Sequence, residues 1–302
     1  MQHRVLILGK RGMLGHMVEH VLAADARFAV RGVGRAEFDA TAPTPGVISS
    51  GASRSERSRE ISRVLQLDAL LADVDYAINC IGITARHIDD ADPASVARAV
   101  AVNAAFPHAL AAAAAEHGVR VIHVSTDGVF SGNRAESYTE GDPPDATDTY
   151  GRTKILGESS AANALNIRCS IVGSSPIKRE GLWEWVVAQP DGATVQGYTN
   201  HMWHGVTTRQ FAKFCARVIR DDLFVQLRAN GHVLHYAPNT PCSKYALLCA
   251  IRDALGKRLT IEPTAHMQSI SRTLAMRSDL VALVGASHPI AESLRACAAV
   301  TA

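Results

Sequence analysis

Short apolar runs alternate with amphipathic stretches along the first 172 residues. "RVLIL" (4–8) is aliphatic and stops at a glycine cluster, and "MLGHMVEHVLAA" (13–24) follows with apolar residues at helical spacing. "FAVRGV" (28–33) predicts a second strand. "YAINCIGI" (76–83) and "VRVIHVST" (119–126) are nearly continuous in apolar character, the pattern of strands covered on both faces. Between them, "PASVARAVAVNAAFPHALAAAAAEHG" (93–118) opens on Pro93 and closes at Gly118, and Pro107 predicts a kink or interruption. "YGRTKILGESSAA" (150–162) reads as a further helix, followed by the strand "NIRCSIV" (166–172).

Strand and helix in strict alternation predict an α/β fold with a Rossmann-type, doubly wound parallel sheet. Beyond residue 173 the pattern loosens, with one clear helix at "TTRQFAKFCARVIR" (207–220). Two domains are therefore expected: a Rossmann domain over 1–172, and a smaller C-terminal lobe over 173–302. The lobe is interleaved with the last Rossmann elements at about 193–222 and lies across the strand ends, where open α/β sheets bind ligands. The stretch 43–62, rich in Ser, Gly, Pro and Arg, reads as a surface excursion.

Composition narrows the setting. Apolar residues make up 47% and charged residues 20%, as in ordinary globular proteins, and the formal charge of +2 carries no basic tract. Nucleic acid and anionic membranes are thereby disfavoured as partners. Six scattered cysteines without CxxC spacing suit core positions in a reducing compartment. The N-terminus sets Arg4, Lys10 and Arg11 around only five apolar residues, unlike a signal peptide, and no stretch reads as a membrane span. The expected location is the cytoplasm.

Chemistry enters with "GKRGMLG", which places Gly9, Gly12 and Gly15 between the first strand and its helix. The first glycine permits a tight turn, the second lets backbone approach a pyrophosphate, and the third allows close packing of helix on strand. The helix N-terminus then holds negative charge, with Arg11, Met13 and Leu14 in the same loop. An acid ending the second strand would favour NAD, but the strand runs into "GVGR". Arg35 and Arg11 suit a 2′-phosphate through charge-assisted bonds, so NADP(H) is preferred and NAD(H) remains open.

Tyr150 and Lys154 are four residues apart and share a helix face. An ammonium beside a phenol favours the phenolate, so such a tyrosine is expected to act as a general acid or base. The strand "VRVIHVST" presents Ser125, Thr126 and Asp127 at its end, where a hydroxyl can share the substrate oxygen with Tyr150.

Gly9-x-x-Gly12-x-x-Gly15, Asn103 in "AVNAAF", "VSTDGVFSG" and "YGRTKILGE", in this order, resemble an extended short-chain dehydrogenase/reductase. Within that superfamily the chain is most similar to the dTDP-4-dehydrorhamnose reductases, which reduce nucleotide-sugar 4-ketones. The likeness covers residues 3–175 well and continues faintly through "HGVTTRQFAKF" (204–214) and "SRTLAMRSDL" (271–280). It implies that Tyr150 protonates the carbonyl oxygen as NADPH delivers hydride. Lys154 holds the nicotinamide ribose and lowers the tyrosine pKa. Thr126 orients the carbonyl, since it stands four residues before Phe130 as the family's hydroxyl does before its aromatic. Asp39 matches an adenine contact, Cys80, Ile81 and Gly82 match the segment beside the cofactor, and Asn103 matches a support or relay residue.

Two departures stand out. Gly128 replaces a usual aromatic, and Met17 replaces a glutamate that binds magnesium at a dimer contact in some members, so no metal is expected. The pairs His201/His204 and His232/His235 lack a third ligand for zinc. For the substrate, the second half offers Trp183, Trp185 and Trp203 for stacking, Arg272 and Arg277 for a diphosphate, and Asn200 as a polar contact, beside Thr126, Asp127 and Tyr150. The expected partner is a nucleotide-linked sugar, and a homodimer is compatible with the family. An epimerase or dehydratase that retains NAD, and a non-catalytic NADP-binding regulatory subunit, are the competing readings.

Overall fold

A computed structural model describes residues 2–41, 65–285 and 288–301. The expected excursion at 43–62 lies outside the described residues. Six parallel strands form the central sheet in the spatial order Val233–His235, Ala164–Arg168, Arg120–Val124, Tyr76–Asn79, His3–Leu8, Phe28–Val33. The chain first moves outward from His3–Leu8 to Phe28–Val33, then crosses to the other side to lay down Tyr76–Asn79. That reversal opens a crevice above the ends of His3–Leu8 and Tyr76–Asn79, the place where doubly wound sheets bind ligands.

Alternation along the first strand assigns the two faces. Val5 and Ile7 join Val18 and Leu22 of the helix Gly15–Ala23 and Phe211 and Cys215 of the helix Thr208–Arg220. Leu6 and Leu8 point the other way, onto Val102, Phe106, Leu110 and Ala114. Burial on both faces explains why these strands read as continuous apolar runs.

The long Ala-rich run is helical from Pro93 to Glu116 but changes pitch, with a π-helical segment Val100–Ala105 between Pro93–Ala99 and Phe106–Glu116. Pro107 has no N–H to return to the Asn103 carbonyl, and the extra residue per turn absorbs the defect. Gly157 packs so close to that carbonyl that a β-carbon would overlap it. By length and composition, Pro93–Glu116 is apolar enough to cross a membrane, which corrects the reading that no stretch approaches a span. Here its apolar side is the cover of the sheet.

The second half has its own core, in which Trp183, Trp203, Leu247, Ile251 and Leu294 pack together. It carries the strands Cys242–Ser243, His201–Trp203 and Ile270–Ser271 in one small sheet, and Thr194–Tyr198 paired with Thr260–Thr264 in another. The segment 193–222 contributes to both parts. The strand Thr194–Tyr198 belongs to the lobe, whereas the helix Thr208–Arg220 and the strand Val233–His235 close the central sheet.

Behind the strand ends, Arg168 and Glu158 form a buried bidentate pair, with Nε to Oε1 at 2.8 Å and an Nη to Oε2 at 2.7 Å. Ser125 Oγ donates to the same carboxylate at 2.6 Å. Removing one partner of such a pair leaves a desolvated charge. Arg168→Met should therefore destabilise the protein by about 3–5 kcal/mol in urea unfolding at neutral pH; a loss below about 1 kcal/mol would show the pair to be dispensable.

Candidate active site

The cofactor cradle is built by backbone proximity. Gly9 adopts φ +88°, and a β-carbon there would lie 3.1 Å from the Cys80 carbonyl carbon and 3.2 Å from Ile81 Cγ1. At Gly15 a β-carbon would collide with the Gly9 carbonyl, so the third glycine is required for the helix to start where it does. At Gly12 the one neighbour within 4 Å would be the Gly9 oxygen at 3.4 Å, so its outer side is open. The helix Gly15–Ala23 begins at Leu14 with no side-chain cap and no acid in its first turn. Its free N–H groups thus face the crevice mouth as anion donors. Met13 Sδ approaches Gly181 of the second half, and Cys80, Ile81 and Gly82 line the neighbouring strand end.

Arg11 is exposed and crosses over Gly34, where a β-carbon would meet its Cδ at 3.2 Å. Arg35 pairs with Asp39 at 3.4 Å, and Asp39 is otherwise occupied by the backbone N–H and hydroxyl of Thr41. The sequence reading missed Glu37. Its carboxylate accepts from the Gly34 N–H at 2.9 Å and from Lys10 Nζ at 2.9 Å. An acid thus does stand beyond the second strand, but Lys10 meets its charge, and the arginines remain available to a 2′-phosphate. The sequence signal was present, four residues past the strand end in "GVGRAE".

The reacting side chains meet across the sheet edge. Thr126 caps the turn Asp127–Val129, accepting from the Gly128 N–H at 3.0 Å, and its hydroxyl reaches Asp127 Oδ1 at 3.2 Å. Asp148 caps the helix Thr149–Leu156 through the Gly151 N–H, which starts that helix directly under Thr126. Tyr150 lies against Gly128, where a β-carbon would sit 3.0 Å from Tyr150 Cε1 and 3.2 Å from Thr126 Oγ1. Gly128 in place of an aromatic therefore lets the phenol ring press on backbone. Burial pushes the Tyr150 phenol up to about 12, opposed by its hydrogen bond with Thr126.

That direction corrects the expectation that Lys154 lowers the tyrosine pKa. Lys154 Nζ donates to the Val124 carbonyl at 2.7 Å and lies 3.2 Å from His123 Nε2. Burial brings Lys154 itself down to about 8. Asn103 supports the site from behind: its amide brackets Ile83 N and O at 2.8 and 2.9 Å and reaches Thr153 Oγ1 at 3.2 Å. With both amide hydrogens engaged it ties the loop at Ile83 to the Tyr150 helix.

Of the substrate residues, Asp127 and Arg272 reach the site. Burial raises the Asp127 carboxyl, offset by the charges of Arg272 and Lys244. Arg272 Nε is buried without a hydrogen-bond partner among the described residues. Lys244, the first residue of the helix Lys244–Leu255, was not singled out from sequence, since a lone lysine after "PCS" carries no pattern. Burial lowers it, against the pull of Asp127.

Four other candidates are corrected. Trp183 and Trp203 are 2% and 3% exposed in the core of the second half, so neither offers a stacking face. Asn200 spends its amide on the neighbouring loop, donating to His266 O at 2.7 Å and accepting from His266 N at 2.8 Å. Arg277 ties down Leu227 O and Asp279. In each case a polar or aromatic residue in a loosely patterned region serves packing or loop closure. Met17 is likewise wholly buried, among Val18 and Leu22.

The sequence profile described as the RmlD substrate binding domain matches residues 3–281. The chain belongs to this family. It is 32% identical over 211 residues to a probable low-salt glycan biosynthesis reductase of Haloferax volcanii, covering 67% of each chain. A dTDP-4-dehydrorhamnose reductase of Clostridium acetobutylicum superposes with a TM-score of 0.75 at 20% identity, over 99% of both chains. A dTDP-4-dehydrorhamnose reductase of Bacillus anthracis, solved in complex with NADP, gives 0.75 at 17% identity, over 98% of this chain and 99% of that one. These two likenesses speak to the fold alone.

Lys154 supplies a pH signature. Its folded value near 8 lies below the ordinary 10.5, so the unfolded chain binds more protons between those values. Its contribution to stability is therefore most unfavourable below about pH 8 and improves as pH rises, by roughly 3 kcal/mol in all. Urea unfolding of the wild type and Lys154→Met across this range should show the wild type gaining on the variant as pH increases. A constant difference would refute the buried, depressed amine.

Proposed function

We propose that this chain is an NADPH-preferring reductase that turns the 4-keto group of a nucleotide-diphosphate 6-deoxysugar into a hydroxyl. The observation that carries the reading is the meeting of the Thr126 and Tyr150 hydroxyls at the sheet edge beside the Gly9 loop. Gly9, Gly12, Gly15 and the uncapped helix would hold the dinucleotide, Arg11 and Arg35 its 2′-phosphate, and Cys80, Ile81 and Gly82 the flank of the nicotinamide. That cofactor, when bound, supplies the hydride.

The protein supplies the proton. A phenol raised to about 12 stays protonated across the neutral range, which is the state a donor to a developing alkoxide requires. Thr126 presents its hydroxyl to the same oxygen and keeps the carbonyl in line with Tyr150. The second half brings Lys244 and Arg272 toward Asp127, and two half-buried cations suit the diphosphate of a nucleotide sugar. The names of the relatives, reductases of nucleotide sugars and of a glycan pathway, agree with this substrate class.

An epimerase that retains NAD is the competing reading. The test is NADPH consumption against a panel of nucleotide 4-keto-6-deoxysugars. Tyr150→Phe should lower kcat by about 10²–10⁴-fold while leaving the NADPH Kd within about twofold. Retained activity in Tyr150→Phe would dismiss the tyrosine as donor, and stoichiometric NAD in the purified protein would favour the epimerase.

A further inference from the structure

His123 is part of a buried polar chain that no step above uses. It stands on the strand Arg120–Val124 and is 2% exposed, with Asn79 at 0% on the adjacent strand and Lys154 at 4% on the helix beyond. Asn79 Oδ1 accepts from the Ile81 N–H at 3.0 Å. That bond fixes the amide, so the group facing His123 Nδ1 at 3.0 Å is Asn79 Nδ2, a donor. Nδ1 must then be the acceptor, and a neutral imidazole that accepts at Nδ1 carries its hydrogen on Nε2. Nε2 faces Lys154 Nζ at 3.2 Å. An ammonium has hydrogens only and nothing to accept with, so N–H would confront N–H. A neutral amine has a lone pair for Nε2–H and still donates to the Val124 carbonyl.

We propose that His123 is a positioning residue for Lys154: Asn79 fixes it as the Nε2–H tautomer, so that it offers Lys154 a donor and stabilises the docked, neutral amine. The charged form of Lys154 is then the one released from His123, free to turn toward Tyr150 and the cofactor ribose. The surrounding groups agree with a neutral imidazole. His123 is held well below its ordinary value by burial, then by the charge of Lys154, with His108 contributing from the helix Phe106–Glu116. Lys154 also feels Glu158 and Cys169, both of which favour the ammonium, and Glu158 is already engaged by Arg168 and Ser125.

The inference rests on the reductase reading for its consequence but not for its first test. Two-bond ¹H–¹⁵N correlation spectra of the cofactor-free full chain, at about pH 6–9, should show His123 as the neutral Nε2–H tautomer throughout. The Nδ1–H tautomer or an imidazolium would overturn the proposal. Asn79→Asp, nearly isosteric, reverses the chain: the carboxylate accepts from Nδ1–H and Nε2 becomes an acceptor for the ammonium. The tautomer should switch, and the alkaline limb of kcat/KM against pH should move up by about one unit or more. An unswitched tautomer in a folded Asn79→Asp protein, or a switched one with an unmoved limb, would also overturn it. Should that variant not fold, the wild-type spectrum still decides. If no keto sugar is reduced, the proposed function fails while the tautomer result stands.

Discussion

The bond from Lys154 Nζ to the Val124 carbonyl, 2.7 Å long, joins the two halves of the catalytic geometry. Val124 is the last residue of its strand, two positions before Thr126, and Lys154 is one helical turn after Tyr150. A single contact therefore ties the strand that leads to Thr126 to the helix that carries Tyr150. Its energetic setting is unfavourable for a charge: the amine is buried, and its nearest side-chain partner is an imidazole rather than a carboxylate. Such groups are retained where function requires them, since an apolar residue of the same size would stabilise the fold more.

The same logic extends to the mouth of the site. Asp127, Lys244 and Arg272 are enclosed together, yet none is joined to another in an ion pair, and Arg272 Nε has no partner among the described residues. A folded protein without ligands seldom leaves a buried guanidinium nitrogen unsatisfied. The Arg168–Glu158 pair, by comparison, is bidentate and buried. Two basic residues beside one acid give the Asp127 region an excess of positive charge.

Much of this was legible in the sequence because the features obey local rules. Continuous apolar runs gave the central strands, and "FAVRGV" forms the strand Phe28–Val33 without displacement of either end. The glycine loop was readable because its three positions answer to steric demands that no other residue meets. Pro107 pointed to an interruption, and the structure resolves it as a π-helical segment rather than a break. What local pattern does not record is which way a side chain turns. Tyr150 and Lys154 share a helix face as their spacing requires, but the lysine tip is claimed by a carbonyl and an imidazole from a strand some 30 residues earlier. The tryptophans failed for a related reason: aromatic residues in a weakly patterned segment suit a pocket and a core equally, and only the arrival of the helix Lys244–Leu255 over Trp183 and Trp203 decided between them.

Hydrogen-bond direction is the quantity that neither spacing nor burial reveals. Each residue from Ile81 through Asn79 and His123 to Lys154 is unremarkable alone, and two of them fall inside apolar strands where a polar side chain reads as an interruption. Linked in order, one backbone N–H determines the orientation of an amide, the amide determines a tautomer, and the tautomer determines which form of the lysine the site prefers. Strand pairing between Tyr76–Asn79 and Arg120–Val124 places Asn79 opposite His123, so the register of the sheet fixes the first link. The protonation chemistry at the edge of the sheet is thus set by the same parallel pairing that builds its core.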